Sequence, residues 1–246
     1  MRRFWIALAL TLPLAARQPV RGREAMVVAQ DPIATDVGVQ ILKQGGNAID
    51  AATAIGFALQ TTWPFAGNIG GGGFMLIRFA DGRTTFIDFR EKAPAAASRD
   101  MYIDAKGNAT RDSILGWRAA GVPGTVRGLE LAHSKYGKLK WETVVRPSQQ
   151  LAAKGFPVSY ALAESLRGTK NITSFPDAER VYHRNGKPYQ AGEIFVQPDL
   201  AKTLDRIARL GAKDFYEGET ARLIATSMAA NGGHITLADL HNYNPV

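Results

Sequence analysis

The sequence predicts a mixed α+β domain in which a short β-hairpin is surrounded by helices. The chain has 246 residues, of which 46% are hydrophobic and 21% charged, and this mixture is typical of folded proteins and too apolar for disorder. Residues 74–90 carry a hairpin pattern, and capped amphipathic patterns that predict helices precede and follow it. No repeat or low-complexity linker interrupts the chain, so we expect one large domain.

Two helices are predicted before the hairpin. Asp31 followed by Pro32 begins an amphipathic pattern, and Gly45 ends it; these are the residues that commonly start and stop helices. Asn47 caps a second pattern over residues 48–60, which is rich in alanine and apolar on nearly every side. We therefore expect the second helix to be buried between layers.

The hairpin is the clearest local feature of the sequence. Residues 74–79 and 84–90 read as its two strands, and Asp81 and Gly82 between them favour a type I′ turn, in which both central residues have positive φ. Side chains alternate between the two faces of a strand. Arg90 is therefore expected at the end of the second strand, beside a loop.

Beyond the hairpin the sequence predicts a loop over residues 93–112 and a mostly helical second half. Each later helical pattern is followed by Gly or Asn-Gly, which commonly end helices. The patterns cover residues 125–136, 141–154, 160–167, 199–210 and 219–230.

Another helix is predicted to begin close to the last residue. Thr236 and Asp239 form a capping-box pattern, and the chain stops at Val246 soon afterwards. Because a domain seldom ends there, we expect residues 26–246 to be part of a larger fold that is truncated at its C-terminus. A short terminal helix is the alternative interpretation.

The first residues have the pattern of an export signal. A basic start is followed by residues 4–14, which are nearly all apolar but fewer than the roughly 20 residues of a membrane-spanning helix. We predict a signal peptide over residues 1–16, a linker over residues 17–25, and a periplasmic or extracellular protein with no membrane anchor. Arg2 and Arg3 leave a twin-arginine signal open as an alternative.

Charge and composition exclude several classes of function. The net charge is +8, but half of the excess precedes Met26 and the other cations are scattered, so no nucleic-acid partner is expected. The chain has no Cys, which excludes disulfides and thiol catalysis. Its four histidines show no metal-binding spacing and are expected at the surface. We expect no metal and no cofactor.

The glycine run over residues 70–73 does not predict a nucleotide site. Phe74 and Met75 follow it, where a P-loop needs Lys and then Ser or Thr. The run indicates a backbone that turns tightly or passes close to another group. No Gly-x-Ser-x-Gly elbow occurs either, so composition and spacing alone identify no catalytic residue.

Several short segments follow one another in an order and spacing typical of one family. Residues 45–52 read GGNAIDAA, residues 67–75 GNIGGGGFM and residues 88–94 DFREKAP. Similar matches are SRDMY at residues 98–102, GVPGTV at 121–126 and NGGHIT at 231–236. The chain from Met26 to Val246 thereby resembles the large subunit of bacterial gamma-glutamyltranspeptidases, also called glutathione hydrolases.

The resemblance implies an N-terminal nucleophile hydrolase with a four-layer αββα sandwich, of which this chain would hold only the N-terminal part. Members of the family are exported precursors that cut themselves into a large and a small subunit. A Thr in a Thr-Thr-His context becomes the first residue of the small subunit and acts as the nucleophile, and the new amine can serve as its base. The reaction transfers a gamma-glutamyl group from glutathione to water or to an acceptor amine through an acyl-enzyme.

One substrate-binding residue follows from the resemblance. Arg90 stands in the DFRE motif, whose Arg is expected to hold the alpha-carboxylate of the gamma-glutamyl donor. A guanidinium can bind a carboxylate through two parallel charge-assisted hydrogen bonds. A structural pairing of Arg90 with Asp88 or Glu91 is the alternative.

The chain contains no Thr-Thr-His, so no catalytic residue is assigned within it. The partner that the resemblance implies is a small subunit carrying the catalytic Thr. Alone, the chain is expected to be inactive and to fold poorly, because its sheets would have open edges. Three interpretations remain open: a fragment of a gamma-glutamyltransferase, a non-catalytic protein that binds gamma-glutamyl compounds, or a related acylase of the same fold. Arg90 favours an amino-acid donor among these.

Overall fold

The computed structural model describes residues 21–246. The predicted signal peptide over residues 1–16 and the first part of the predicted linker lie outside this range. Within it, no helix has both the length and the apolar character needed to cross a membrane.

The first two helices form as predicted. Helix α1 (Pro32–Lys43) begins after Asp31, whose carboxylate accepts hydrogen bonds from the backbone N–H groups of Ile33 and Ala34. Helix α2 (Ala48–Thr62) begins with a capping box, in which the side chains of Asn47 and Asp50 each accept a backbone N–H of the other. Ten residues of α2 are buried, so it is the interior helix that its composition predicts.

The hairpin also forms, but its turn differs from the prediction. Strands β1 (Phe74–Arg78) and β2 (Thr84–Asp88) pair antiparallel. The predicted type I′ turn is wrong, because Gly82 has a φ of 89° whereas Asp81 does not have the positive φ that this turn needs. The Oδ1 atom of Asp81 instead accepts the backbone N–H of Arg83 at 3.0 Å, and only the glycine takes the left-handed conformation.

The second half of the described chain is mostly helical, as predicted. Two short helices, α6 and α8, were not predicted, whereas the others match their patterns closely. The helices are α3 (Thr125–Tyr136), α4 (Trp141–Lys154), α5 (Tyr160–Gly168), α6 (Pro176–Tyr182), α7 (Pro198–Leu210), α8 (Ala212–Glu217), α9 (Glu219–Ala230) and α10 (Leu237–Asn242). The capping box of Thr236 and Asp239 begins α10.

Four two-residue strands lie between these helices. Strand β3 (Phe156–Pro157) pairs with β6 (Ile194–Phe195), and β4 (His183–Arg184) pairs with β5 (Lys187–Pro188). Between β4 and β5, Asn185 and Gly186 have φ values of 53° and 71°. This Asn-Gly pair therefore has the positive φ at both central positions that a type I′ turn requires, and the sequence prediction missed it.

The main hydrophobic core lies between α2 and the elements around it. Phe57 of α2 is fully buried, and its ring meets that of Trp141 in α4 edge to face at 5.5 Å. The hairpin contributes Ile77 and Ile87, and α3 contributes Leu129. Helix α7 packs against α4 and contributes Leu204 and Ile207 to the same core. A smaller cluster lies around β3 and β6 and includes Phe156, Val158, Leu162, Leu166, Ile172 and Phe195.

Only one face of the hairpin is covered by the described residues. Phe74, Leu76 and Phe86 on the other face are 52%, 73% and 54% exposed, and the rings of Phe74 and Phe86 stack at 5.5 Å. The hairpin thus presents an apolar sheet face to solvent.

The backbone of β2 is also paired near the end of the sequence. Val246 and Asp88 exchange two backbone hydrogen bonds of 2.6 and 2.9 Å, the pattern of a hydrogen-bonded antiparallel pair.

A buried carboxylate joins α2 to the end of α3. Asp50 is 0% exposed and accepts the backbone N–H groups of Asn47, Lys138 and Leu139 at 2.7 to 3.1 Å. The Nε2 atom of His133 lies 3.2 Å from Asp50 Oδ1. Because His133 is only 8% exposed and the side chain of His183 is also only 8% exposed, the expectation that the histidines lie at the surface is wrong for these two residues.

We expect Asp50→Asn to lower the free energy of unfolding by about 1–3 kcal/mol, because the new amide N–H₂ would face backbone donors and leave them without an acceptor. Asp36→Asn on the exposed side of α1 is the matched control and should change stability by less than about 0.5 kcal/mol. Denaturant unfolding of both variants measures the difference. Equal stability of the two variants would contradict the structural role of Asp50.

We expect Leu76→Thr to reduce self-association of the chain without lowering its stability, because Leu76 lies on the uncovered apolar face and Thr is a good strand residue. Ile77→Thr is the matched control, since the neighbouring Ile77 is only 7% exposed and its replacement should destabilise the core. Light scattering measures self-association, and thermal unfolding measures stability. A wild-type chain that is monomeric at all concentrations would contradict the first expectation.

Candidate functional site

The segment that carries Arg90 is held between two other backbone segments. The backbone groups of Phe89 and Gly73 bond to each other at 2.9 and 3.3 Å, so the hairpin pairing continues into the glycine run. C-terminal to Arg90, Lys92 and Val122 exchange two backbone hydrogen bonds of 3.2 and 2.8 Å. Arg90 therefore lies in a segment that is fixed on both sides, beside a loop as predicted, but beyond the end of β2 at Asp88 and not within the strand that the sequence predicts.

The glycine run allows two backbones to approach closely. A Cβ atom on Gly72 would lie 2.5 Å from the carbonyl oxygen of Phe89 and 2.8 Å from the backbone nitrogen of Glu91, both far inside van der Waals contact. Next to it, the carbonyl oxygen of Gly71 accepts the backbone N–H groups of Gly124 and Thr125 at 2.8 and 3.1 Å. The run thus joins the end of β2 to the start of α3, which explains why side chains are absent there.

The guanidinium of Arg90 is free at one end. Its Nε atom donates to Glu91 Oε2 at 3.2 Å, and the group lies 5.7 Å from the ring centroid of Phe74. Within residues 21–246, Nη1 and Nη2 donate no hydrogen bond to a protein atom. The side chain is 63% exposed. The N–H donors of Nη1 and Nη2 are therefore not used by the described residues, and a guanidinium with two such groups can bind a carboxylate through two parallel hydrogen bonds.

The pairing that sequence analysis left as an alternative is present in part. Arg90 contacts Glu91 through Nε, whereas Asp88 does not pair with the guanidinium. The Oδ1 atom of Asp88 instead accepts the backbone N–H of Arg90 at 2.9 Å. Since the contact to Glu91 uses only Nε, it orients the guanidinium and leaves the two Nη atoms available.

Sequence analysis missed Tyr243, which contacts the same segment. Its hydroxyl donates to the carbonyl oxygen of Arg90 at 2.9 Å, and its ring is buried at 2% exposure. Burial, together with the charges of Asp88 and Glu91, raises the pKa of Tyr243 to about 12, so the hydroxyl remains a donor at neutral pH. No local pattern marks this residue, because its partner is 153 positions away in the sequence.

The described residues give no indication of a metal site. Between residues 21 and 246, no group of three or more His, Asp or Glu side chains is arranged to hold a metal ion. The arrangement around Arg90 can bind an anion, and the planar guanidinium matches the geometry of a carboxylate or a phosphate.

Comparison with solved structures defines the class of this fold. The chain matches the crystal structure of Helicobacter pylori gamma-glutamyltranspeptidase with a TM-score of 0.91 and 44% identity, covering 93% of this chain and 66% of that one. It also matches cephalosporin acylase from Bacillus halodurans with a TM-score of 0.80 and 26% identity, covering 96% of this chain and 46% of the acylase. The fold is the N-terminal part of an N-terminal nucleophile hydrolase, as the resemblance implies.

The sequence comparisons identify one family within this fold class. The family model of gamma-glutamyltranspeptidase matches residues 34–246. The glutathione hydrolase proenzyme of Escherichia coli (strain K12) is 48% identical over 231 residues, which are 93% of this chain and 40% of that protein. The chain therefore belongs to the gamma-glutamyltranspeptidase family, and it spans less than half the length of this relative.

We expect Gly72→Ala to destabilise the fold by about 1–3 kcal/mol, the usual cost of forcing atoms into a filled space. Gly70→Ala in the same run is the matched control, because its Cβ atom would meet only Asn68 Oδ1 at 3.5 Å, an ordinary contact. Denaturant unfolding of the two variants measures the difference. Equal unfolding midpoints would show that the close approach at Gly72 is not a constraint.

Proposed function

We propose that residues 26–246 are the large-subunit portion of a gamma-glutamyltransferase that acts as a glutathione hydrolase. The observation that carries this proposal is the Arg90 guanidinium, which is fixed at Nε and free at Nη1 and Nη2. In the DFRE motif of this family, that group would hold the alpha-carboxylate of a gamma-glutamyl donor. Membership of the family and the 48% identity to a glutathione hydrolase proenzyme support the assignment.

In the proposed reaction, one chain binds the donor and a second chain supplies the nucleophile. Arg90 binds and orients the donor, while the hydroxyl of a Thr at the start of a small subunit attacks the gamma-carbonyl carbon. The bond to the leaving amine breaks, the amine takes a proton, and a gamma-glutamyl ester of the Thr forms. Water or an acceptor amine then attacks this ester and regenerates the hydroxyl. The small subunit is thus the proposed partner, and it would arise by self-cleavage of a precursor.

The proposed location is outside the cytoplasm. It rests on the basic and apolar pattern of residues 1–16, which is that of a secretory signal peptide. Residues 17–25 would then be a linker ahead of the large-subunit portion.

The proposal is tested by joining the chain to a small-subunit portion. If the coding sequence continues beyond the codon for Val246 to a Thr-Thr-His, the native precursor is used. Otherwise residues 34–246 replace the matching portion of the Escherichia coli proenzyme. We expect self-cleavage into two chains and hydrolysis of a gamma-glutamyl anilide by the product, which we call the complete enzyme. A version in which the first Thr of the small subunit is replaced by Ala is the inactive control.

A complete enzyme that is processed and folded but does not cleave gamma-glutamyl donors would overturn the proposal. The likeness to a cephalosporin acylase makes a beta-lactam with an acyl side chain the second substrate to assay. Cleavage of that amide in the absence of gamma-glutamyl transfer would assign the chain to an acylase.

We expect Arg90→Lys in the complete enzyme to raise KM for a gamma-glutamyl donor about tenfold to a hundredfold, because an ammonium cannot reproduce the bidentate contact to a carboxylate. Arg83→Lys is the matched control, since Arg83 lies in the hairpin turn and pairs with Asp81 there. Steady-state kinetics measure both variants. An unchanged KM in Arg90→Lys would exclude Arg90 from donor binding.

A further inference from the structure

The backbone of Arg90 is held by side chains on both sides of its α-carbon. Its N–H group donates to Asp88 Oδ1 at 2.9 Å, and its carbonyl oxygen accepts the hydroxyl of Tyr243 at 2.9 Å. Strand β2 ends at Asp88, so the regular hairpin ladder does not supply these bonds. The direction in which the Arg90 side chain leaves the backbone therefore depends on two side-chain contacts.

Tyr243 reaches this position through a gap that the sequence keeps open. A Cβ atom on Gly124 would lie 2.2 Å from the Tyr243 hydroxyl and 2.0 Å from the carbonyl oxygen of Phe89. Only glycine at position 124 lets the hydroxyl pass to Arg90 while the loop before α3 stays against the end of β2.

The ring of Tyr243 is itself fixed from several directions. It stacks on Tyr216 with 5.8 Å between centroids and an angle of 16° between planes. The ammonium of Lys92 lies 5.2 Å from the ring centroid of Tyr243. The guanidinium of Arg127 donates to the backbone carbonyl oxygen of Tyr243. A buried aromatic ring with this many contacts holds its hydroxyl in one place.

A bidentate guanidinium contact needs placement of this kind. Productive geometry has a tolerance of about 0.5 Å, and the long Arg90 side chain is 63% exposed, with contacts to Glu91 and Phe74. A rotation of the Arg90 peptide would change the direction of the side chain and so move the guanidinium relative to the donor carboxylate. The hydrogen bond from Tyr243 opposes that rotation.

We propose that Tyr243 is a positioning residue for donor binding, which acts by fixing the Arg90 peptide through its hydroxyl. The proposal rests on the proposed role of Arg90. It makes Tyr243 part of the machinery that recognises the carboxylate of an amino-acid donor, although the residue does not touch the donor.

The test is Tyr243→Phe in the complete enzyme. This change keeps the ring, its stack on Tyr216 and its contact with Lys92, and it removes only the hydroxyl. We expect KM for a gamma-glutamyl donor to rise about threefold to tenfold, the range that a neutral hydrogen bond is worth, while kcat changes less than about twofold. Partial misfolding would lower the apparent kcat and leave KM unchanged, so the two parameters separate positioning from a loss of folded protein.

Tyr216→Phe is the matched control. It removes a buried hydroxyl that donates to the carbonyl oxygen of Pro123 at 2.9 Å and leaves the bond to Arg90 intact. Its KM should stay within about twofold of the wild-type value. A KM that rises equally in both variants would assign the effect to general loosening of this region and overturn the proposal.

A double variant separates this inference from the proposed function. In the Arg90→Lys background, Tyr243→Phe should raise KM by less than about twofold, because the contact that it positions is already lost. If Arg90→Lys raises KM and Tyr243→Phe does not, the positioning role is wrong and the role of Arg90 stands. If Arg90→Lys leaves KM unchanged, both the proposed binding role of Arg90 and the inference built on it are wrong.

Discussion

The close passage of the glycine run against the backbone of residues 89–91 is the contact on which the rest of the structure depends. Gly73 extends the hairpin by pairing with Phe89, and Gly71 accepts the first two N–H groups at the start of α3. A side chain at Gly72 would push these segments apart. The glycine run thus holds together the hairpin, the start of α3 and the backbone segment that leads into Arg90, so the stability of this region and the geometry of the site are not independent.

The exposure of Arg90 limits how tightly it can bind a carboxylate in the described part of the chain alone. An ion pair in contact with water is worth at most about 1 kcal/mol, and this guanidinium is 63% exposed. The uncovered face of the hairpin adjoins it, since the ring of Phe74 lies beside the guanidinium. A protein surface that covered Phe74, Leu76 and Phe86 and extended over Arg90 would exclude water from the guanidinium and strengthen its contact with a carboxylate. The affinity of Arg90 for the donor carboxylate would therefore increase as the apolar face becomes buried.

Local signals in the sequence were enough to predict most of the fold. Caps such as Asp31 and Asn47 bond to N–H groups within a few residues, and alternation along β2 follows from strand geometry alone. The turn at Asp81 was predicted wrongly because its side chain bonds to Arg83, a preference that competes with the left-handed conformation. The short helices α6 and α8 have few residues in which a periodic pattern can be recognised.

The site was predictable only in part, for a different reason. Arg90 was identified by its resemblance to a family motif, and its position at a strand end followed from the hairpin. The contacts of Tyr243 with Arg90 and of His133 with Asp50 join positions that are far apart in sequence. No short window of residues contains both partners, so neither composition nor periodicity could indicate that these side chains are buried together.

The span between Tyr243 and Arg90 has a consequence for the order of folding. The two residues are 153 positions apart, and a contact of that separation forms only after the intervening chain has been synthesised and its loop closed. Helices α1 and α2 and the hairpin can assemble early, while the ribosome is still extending the chain. The hydrogen bond that fixes the Arg90 peptide therefore cannot form before Tyr243 has been synthesised, and until then Arg90 lies next to the hairpin without it.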